Sequence, residues 1–127
     1  MGMLSVPPAG SIVMCDFAGH VQPEMVKKRR AVVVSPWRRF TFASDATVIV
    51  VPLSEVRPDV ALRWHHGISE GRYPGLKECW AKADLIAHVS LARLDRVYHG
   101  GRWIMPMVNA ADLQAIRGAI AAAVGLA

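Results

Sequence analysis

Residues 23–36 read PEMVKKRRAVVVSP, with four consecutive cations, Lys27, Lys28, Arg29 and Arg30, directly in front of a β-branched run. The run AVVVS (31–35) gives the strongest strand signal in the chain, because valine is stiff at χ1 and packs well on a pleated surface. Charge at the mouth of a buried strand has three readings: solvated decoration, a phosphate grip, or catalytic machinery. The rest of the chain decides among them.

Two further runs resemble AVVVS. SIVMCDF (11–17) reads as a strand buried on both faces, and TVIVVPL (47–53) as another. Together the three predict a central sheet. The loops between them, 18–28 and 36–46, are long for plain connections and suit a functional role. VALRWHH (60–66) is a further candidate strand, and ECWAKADLIAHV (78–89) reads as one long strand or two short ones. SLARLD (90–95) is a short helical turn, and Gly100-Gly101 inside YHGGRW (98–103) marks a hairpin.

The C-terminus is helical. Asn109 is the N-cap candidate, with Asp112 near the positive helix end. Leu113, Ile116, Ile120 and Val124 form one apolar stripe, and Gly125 ends the helix. Many short strands followed by one helix predict a mainly β protein, a small SH3-like β-barrel with a packed C-terminal α-helix.

A length of 127 residues suits a single domain spanning 1–127, and 53% hydrophobic residues against 20% charged ones favour a packed core over disorder. Lys and Arg number 15 and Asp and Glu 10, a balance of +5 that favours a polyanionic partner such as nucleic acid. Two cysteines, Cys15 and Cys79, are too few for a disulfide scaffold or a zinc site of usual spacing. The start, MGMLSVPPAG, has no basic region leading into an apolar stretch, and the expectation is a cytoplasmic protein with no membrane segment.

The histidines make a poor metal site: His65 and His66 are adjacent, so on a strand they point to opposite faces. No metal and no cofactor is expected. The four tryptophans, Trp37, Trp64, Trp80 and Trp103, read as core or rim, with one or two able to stack on bases. What remains is Glu24, the Lys27–Arg30 cluster, Ser54, Lys82 and Asp84, each beside the end of an expected strand. Strand ends of a small barrel converge, so these groups could meet. Composition alone favours the other reading, a solvated cationic loop with unrelated charges elsewhere.

In order, GSIVMCDF, PEMVKKRRAVVVSP, TVIVVPLS and WAKADLIAHVSLARLDRV resemble the MazF/PemK family of toxins from type II toxin–antitoxin systems, over about residues 9–97 plus the terminal helix. The family strand ending in Asp-Phe matches Asp16-Phe17, the family Glu matches Glu24, and its catalytic Arg, five residues on, matches Arg29. Ser54 stands at the strand end that carries a hydroxyl, and Lys82 and Asp84 match a later basic residue and Asp. Arg30 replaces the usual Pro, Ser11 the usual acidic residue after Gly, and Ser54 the commoner Thr.

The resemblance implies a metal-independent endoribonuclease acting on single-stranded RNA, leaving 2′,3′-cyclic phosphate and 5′-hydroxyl ends. It also implies a homodimer neutralised by a cognate antitoxin. The ribose 2′-OH attacks its own neighbouring phosphorus, so the nucleophile is already in place. Arg29 suits bidentate phosphate binding and is a poor proton donor, since guanidinium stays charged. Glu24 or Asp84 is the candidate base, and Ser54 a hydrogen-bond donor to a phosphate oxygen. Lys27, Lys28, Arg30, Arg38, Arg39 and Lys82 would draw and hold the strand. Two other readings remain: a relative on the same fold that binds a protein target such as gyrase, and an inactive nucleic-acid-binding module.

Overall fold

A computed structural model describes residues 2–24, 27–37 and 46–126. Its strands are β1 (Ile12–Asp16), β2 (Lys28–Val33), β3 (Thr47–Ser54), β4 (His65–Ile68), β5 (Cys79–Lys82), β6 (Ala87–Ser90), β7 (Leu94–Asp95), β8 (Val97–His99) and β9 (Arg102–Ile104), and one helix follows, α1 (Ala110–Ala123). Single 3-10 turns lie at Ala83–Leu85 and Leu91–Arg93.

All pairings are antiparallel. The main sheet has seven strands in the order β4-β5-β3-β2-β1-β7, with β6 also on β3. β3 changes partner along its length: β6 pairs with Thr47–Val50 and β5 with Leu53 and Ser54. Pro52 sits at the change. Val34 N–H donates to Ile49 O at 2.9 Å, so the odd-numbered residues of β3 turn their backbone groups to β2. The N–H that Pro52 lacks therefore falls on the other edge, in the gap between β6 and β5, where no ladder bond is lost.

The sheet bends around a core of Val13, Cys15, Ala31, Val33, Val48, Val50, Val89, Leu91 and Leu94. Its other face, with Ile12, Val32, Val51 and Leu53, packs on Ile116 and Ala119 of α1. β1, β3 and the Ala31–Val33 half of β2 thus have apolar residues buried on both faces, as their valine-rich runs require. The expected closed barrel does not form, and the mainly β class with a C-terminal helix stands. β6 and β7 lie at opposite edges of this sheet and are joined only by the Leu91–Arg93 turn, without a ladder between them. Leu91 and Leu94 are buried there, and Met3 N–H donates to Leu91 O at 3.1 Å. Side chains and the N-terminal segment cover a gap that strand pairing leaves open.

Several boundaries differ from expectation. β2 begins at Lys28, so three of the cations belong to the strand itself: Lys28 pairs with Asp16, Arg29 with Cys15 and Arg30 with Met14. β1 is long enough to carry pairing past the valines, and that long-range partner outweighs local propensity. Residues 60–64 are not strand; a turn from Leu62 to His65, with His65 N–H donating to Leu62 O at 3.0 Å, comes first. The 78–89 stretch is two strands split by a 3-10 turn. In β8–β9 the turn residues Gly100 and Gly101 both have positive φ, 60° and 76°, as a type I′ hairpin needs.

Asn109 caps α1, its Oδ1 accepting from Asp112 N–H at 2.8 Å. Leu113, Ile116 and Ile120 pack on the core, whereas Val124, expected on the same stripe, is the exposed C-cap. Gly125 N–H donates to Ala122 O and Leu126 N–H to Ala121 O, with Gly125 at φ 80°, which closes the helix in a Schellman turn. Ser11, at the departure from the family acid, is fully buried, and its hydroxyl donates to Pro8 O at 2.7 Å. Among the described residues no helix is long and apolar enough to cross a membrane.

Candidate active site

The ends of β2 and β3 open onto a cavity of about 240 Å³, with Arg29, Arg30, Ser54, Glu55, Leu76 and Cys79 on its walls. Register explains why Arg29 and Ser54 share it. The β2–β3 ladder ends with Ala31 opposite Pro52, and each residue lies two positions further along its strand. Arg30 and Leu53, which alternate to the other face, reach it too, because the cavity opens where the ladder ends. Ser54 is buried, and its Oγ accepts from Val56 N–H at 3.2 Å. Accepting uses a lone pair and leaves the hydroxyl proton to donate.

Arg29 is exposed, whereas Arg30 is half-buried. Arg30 Nε is buried and is the one such side-chain nitrogen or oxygen among the described residues without a hydrogen-bond partner. Lys28 also lines the cavity. Among the described residues Glu55, which no motif singled out, is the carboxylate on its wall. The local signal was only its position directly after the hydroxyl at the β3 end. Cys79 on the floor is no nucleophile: burial pushes its thiol up to about 12, Glu55 adds to this, and Arg30 opposes it. Cys15, in the core, is likewise pushed to about 12 by burial.

The other expected site residues lie elsewhere. Glu24 holds its own turn, Oε1 accepting from Val21 N–H at 2.8 Å. Lys27 is exposed just before β2. Lys82 is at the far end of β5, opposite His65, and Asp84 Oδ1 is 4.0 Å from His65 Nε2. Neither Lys82 nor Asp84 lines the cavity. Arg38 and Arg39 lie outside the described residues.

A second polar cluster was invisible in the sequence. Asp112 is buried at the start of α1; Tyr73 Oη and Arg72 Nε donate to its Oδ2, the latter at 2.7 Å, and His66 Nε2 lies 3.0 Å from its Oδ1. Asn109 N–H donates to Tyr73 Oη at 2.9 Å. Burial works against the charge on Asp112, but the hydrogen bonds from Tyr73, His66 and Arg72 outweigh it and hold the carboxyl at about 2. This cluster ties α1 to β4 and the 69–76 loop. It gives His66 a structural partner, and among the described residues no three His, Cys, Asp or Glu side chains gather as metal ligands would.

The chain is 29% identical, over 111 residues, to an uncharacterised protein of Haemophilus influenzae, covering 75% of this chain and 73% of that one. Its fold matches an endoribonuclease in complex with its cognate antitoxin from a mycobacterial species, at TM-score 0.67 and 21% identity, covering 96% of this chain and 98% of that chain. It also matches MazF from Deinococcus radiodurans, at TM-score 0.69 and 19% identity, covering 94% of this chain and 97% of that chain. The sequence profile of the PemK-like, MazF-like toxins of type II toxin–antitoxin systems takes in residues 9–124, from the turn before β1 to the C-cap of α1. By that match the chain belongs to the PemK-like, MazF-like toxin family.

Proposed function

We propose that this protein is an endoribonuclease toxin that cleaves single-stranded RNA without a metal ion, at the cavity between the ends of β2 and β3. The observation that carries this reading is the shared cavity of Arg29 and Ser54, together with membership of the toxin family. The Arg29 guanidinium holds two phosphate oxygens and stabilises the charge that grows on the phosphorane. Ser54 donates its hydroxyl proton to a nonbridging oxygen. The ribose 2′-oxygen attacks phosphorus, the P–O5′ bond breaks, and the leaving 5′-oxygen takes a proton from water, which gives a 2′,3′-cyclic phosphate and a 5′-hydroxyl. Glu55 takes the 2′ proton in place of Glu24 or Asp84, because it is the carboxylate on the cavity wall. Lys27, Lys28, Arg30, Arg38 and Arg39 guide the strand.

The wider reading follows the family: one domain over 1–127, a homodimer in the cytoplasm, and a cognate antitoxin whose acidic, partly disordered segment competes with RNA for the same cations. Val124 and Leu126, both exposed at the end of α1, offer apolar surface to a second copy.

The test is incubation of purified protein with a pool of RNA in EDTA, followed by mass spectrometry of the products. Cyclic phosphate and 5′-hydroxyl ends support the reading. A 3′-hydroxyl end, or loss of activity on chelation, overturns it.

A further inference from the structure

A second cavity, of about 320 Å³, lies against the first and shares Met14, Lys28 and Arg30 with it. Its size is at the lower end of small-ligand pockets, about 300–1,000 Å³. On the far side stands the β8–β9 hairpin, which presents Tyr98 and Trp103 at 57% and 61% exposure. Their rings meet edge to face with centroids 5.0 Å apart. Arg93, Arg96 and two carboxylates, Asp16 and Asp95, also stand on its wall. Among the described residues the hairpin has no partner strand besides its own.

From this arrangement we infer that the second cavity is a nucleobase subsite, which stacks one base of the RNA on the Tyr98–Trp103 pair while Arg30 grips the phosphate between that base and the cleavage site. The inference rests on the RNA reading given above and adds to it where the strand runs and which residues read it. Three features point to a base. Aromatic rings offer a π-face to any base. A carboxylate such as Asp16, whose Oδ1 already accepts from Ala18 N–H at 2.9 Å, keeps acceptor capacity for an exocyclic amino group, as carboxylates use with cytosine. Third, Arg30 is half-buried and lines both cavities, and a guanidinium at their junction suits a phosphate lying between the two. The cations here would also attract an acidic protein, but an aromatic pair beside carboxylates in a cavity continuous with the phosphate site fits a base better.

The probe is a 2′-O-methyl hexanucleotide, which cannot be cleaved, carrying one 2-aminopurine moved along successive positions. Wild-type protein should quench the fluorophore most strongly at one position. Trp103→Ala and Tyr98→Ala should lose that quenching, and Trp103→Phe should recover most of it. With cleavable RNA the half-saturating concentration should rise about 5- to 150-fold in the alanine variants, the range for loss of one base–aromatic stack, with a smaller fall in the rate at saturation. If wild type cleaves RNA but quenching is indifferent to Trp103 and Tyr98, the subsite is wrong and the nuclease reading stands. Quenching that depends on Trp103 in a protein that cleaves no RNA would support the subsite and overturn the nuclease reading. RNA affinity unchanged in Trp103→Ala, with dimer or antitoxin binding lost, would assign the hairpin to a protein partner and overturn the inference.

Discussion

Arg29 and Ser54 stand on neighbouring strands, each two residues beyond the last pair of the β2–β3 ladder, and line one cavity. Arg29→Ala should lower single-turnover cleavage at saturating RNA by about a hundred- to a thousandfold, the usual cost of one charge-stabilising donor. Ser54→Ala should lower it less, since a neutral donor contributes less than a charged one.

Arg30 should behave differently from its neighbour. Opposite Met14 rather than Cys15, it leaves β2 on the other side from Arg29. Arg30→Ala should chiefly raise the half-saturating RNA concentration, and the defect should shrink as salt rises. Titrations at two ionic strengths decide the point. Equal rate losses at saturation for Arg29→Ala and Arg30→Ala would contradict the assignment.

Glu55→Gln should lower the single-turnover cleavage rate at saturating RNA by about a hundredfold or more if Glu55 takes the 2′ proton. Glu24→Gln and Asp84→Asn should each cost far less. A rate unchanged in Glu55→Gln would return the role of base to another group.

Stability should depend on Asp112. Its carboxyl is held at about 2, below its ordinary 3.8. The stabilisation is therefore present above about pH 4 and lost as pH falls through 2, and amounts to about 2 kcal/mol. Asp112→Ala should cost about 2–4 kcal/mol at neutral pH, because it strands His66, Arg72 and Tyr73. Denaturant titration at pH 7, and again between pH 4 and 2, should show the large loss at pH 7 and a shallower acid dependence in the variant.

The strands that carry the site were legible because local signals agreed with long-range pairing. Valine runs marked β2 and β3, Gly100-Gly101 marked the hairpin, and Asn109 and Gly125 marked the ends of α1. Legibility failed where pairing decided. The cations of 28–30 read as loop, yet Asp16, Cys15 and Met14 draw them into β2. Partial closure of the sheet turned on the Leu91–Arg93 turn, which carries no closing ladder. Motif order grouped Lys82 and Asp84 with Arg29, but β5 runs its far end away from the cavity to His65. His66 and Asp112, 46 residues apart, meet only through the packing of α1 on β4. Glu55 gave no pattern to follow, since its role depends on the space that β2 and β3 leave between their ends.

The most direct measurement replaces one 2′-hydroxyl. An RNA with a mapped cleavage site is compared with the same RNA carrying a single 2′-deoxyribose just 5′ of the scissile phosphate, both in EDTA. Wild-type protein should bind the two with similar affinity, cleave the first to a 2′,3′-cyclic phosphate, and leave the second intact at that bond. Cleavage of the deoxy-substituted bond at a comparable rate would show that the nucleophile is not the neighbouring ribose, and would contradict the mechanism assigned to the Arg29–Ser54 cavity.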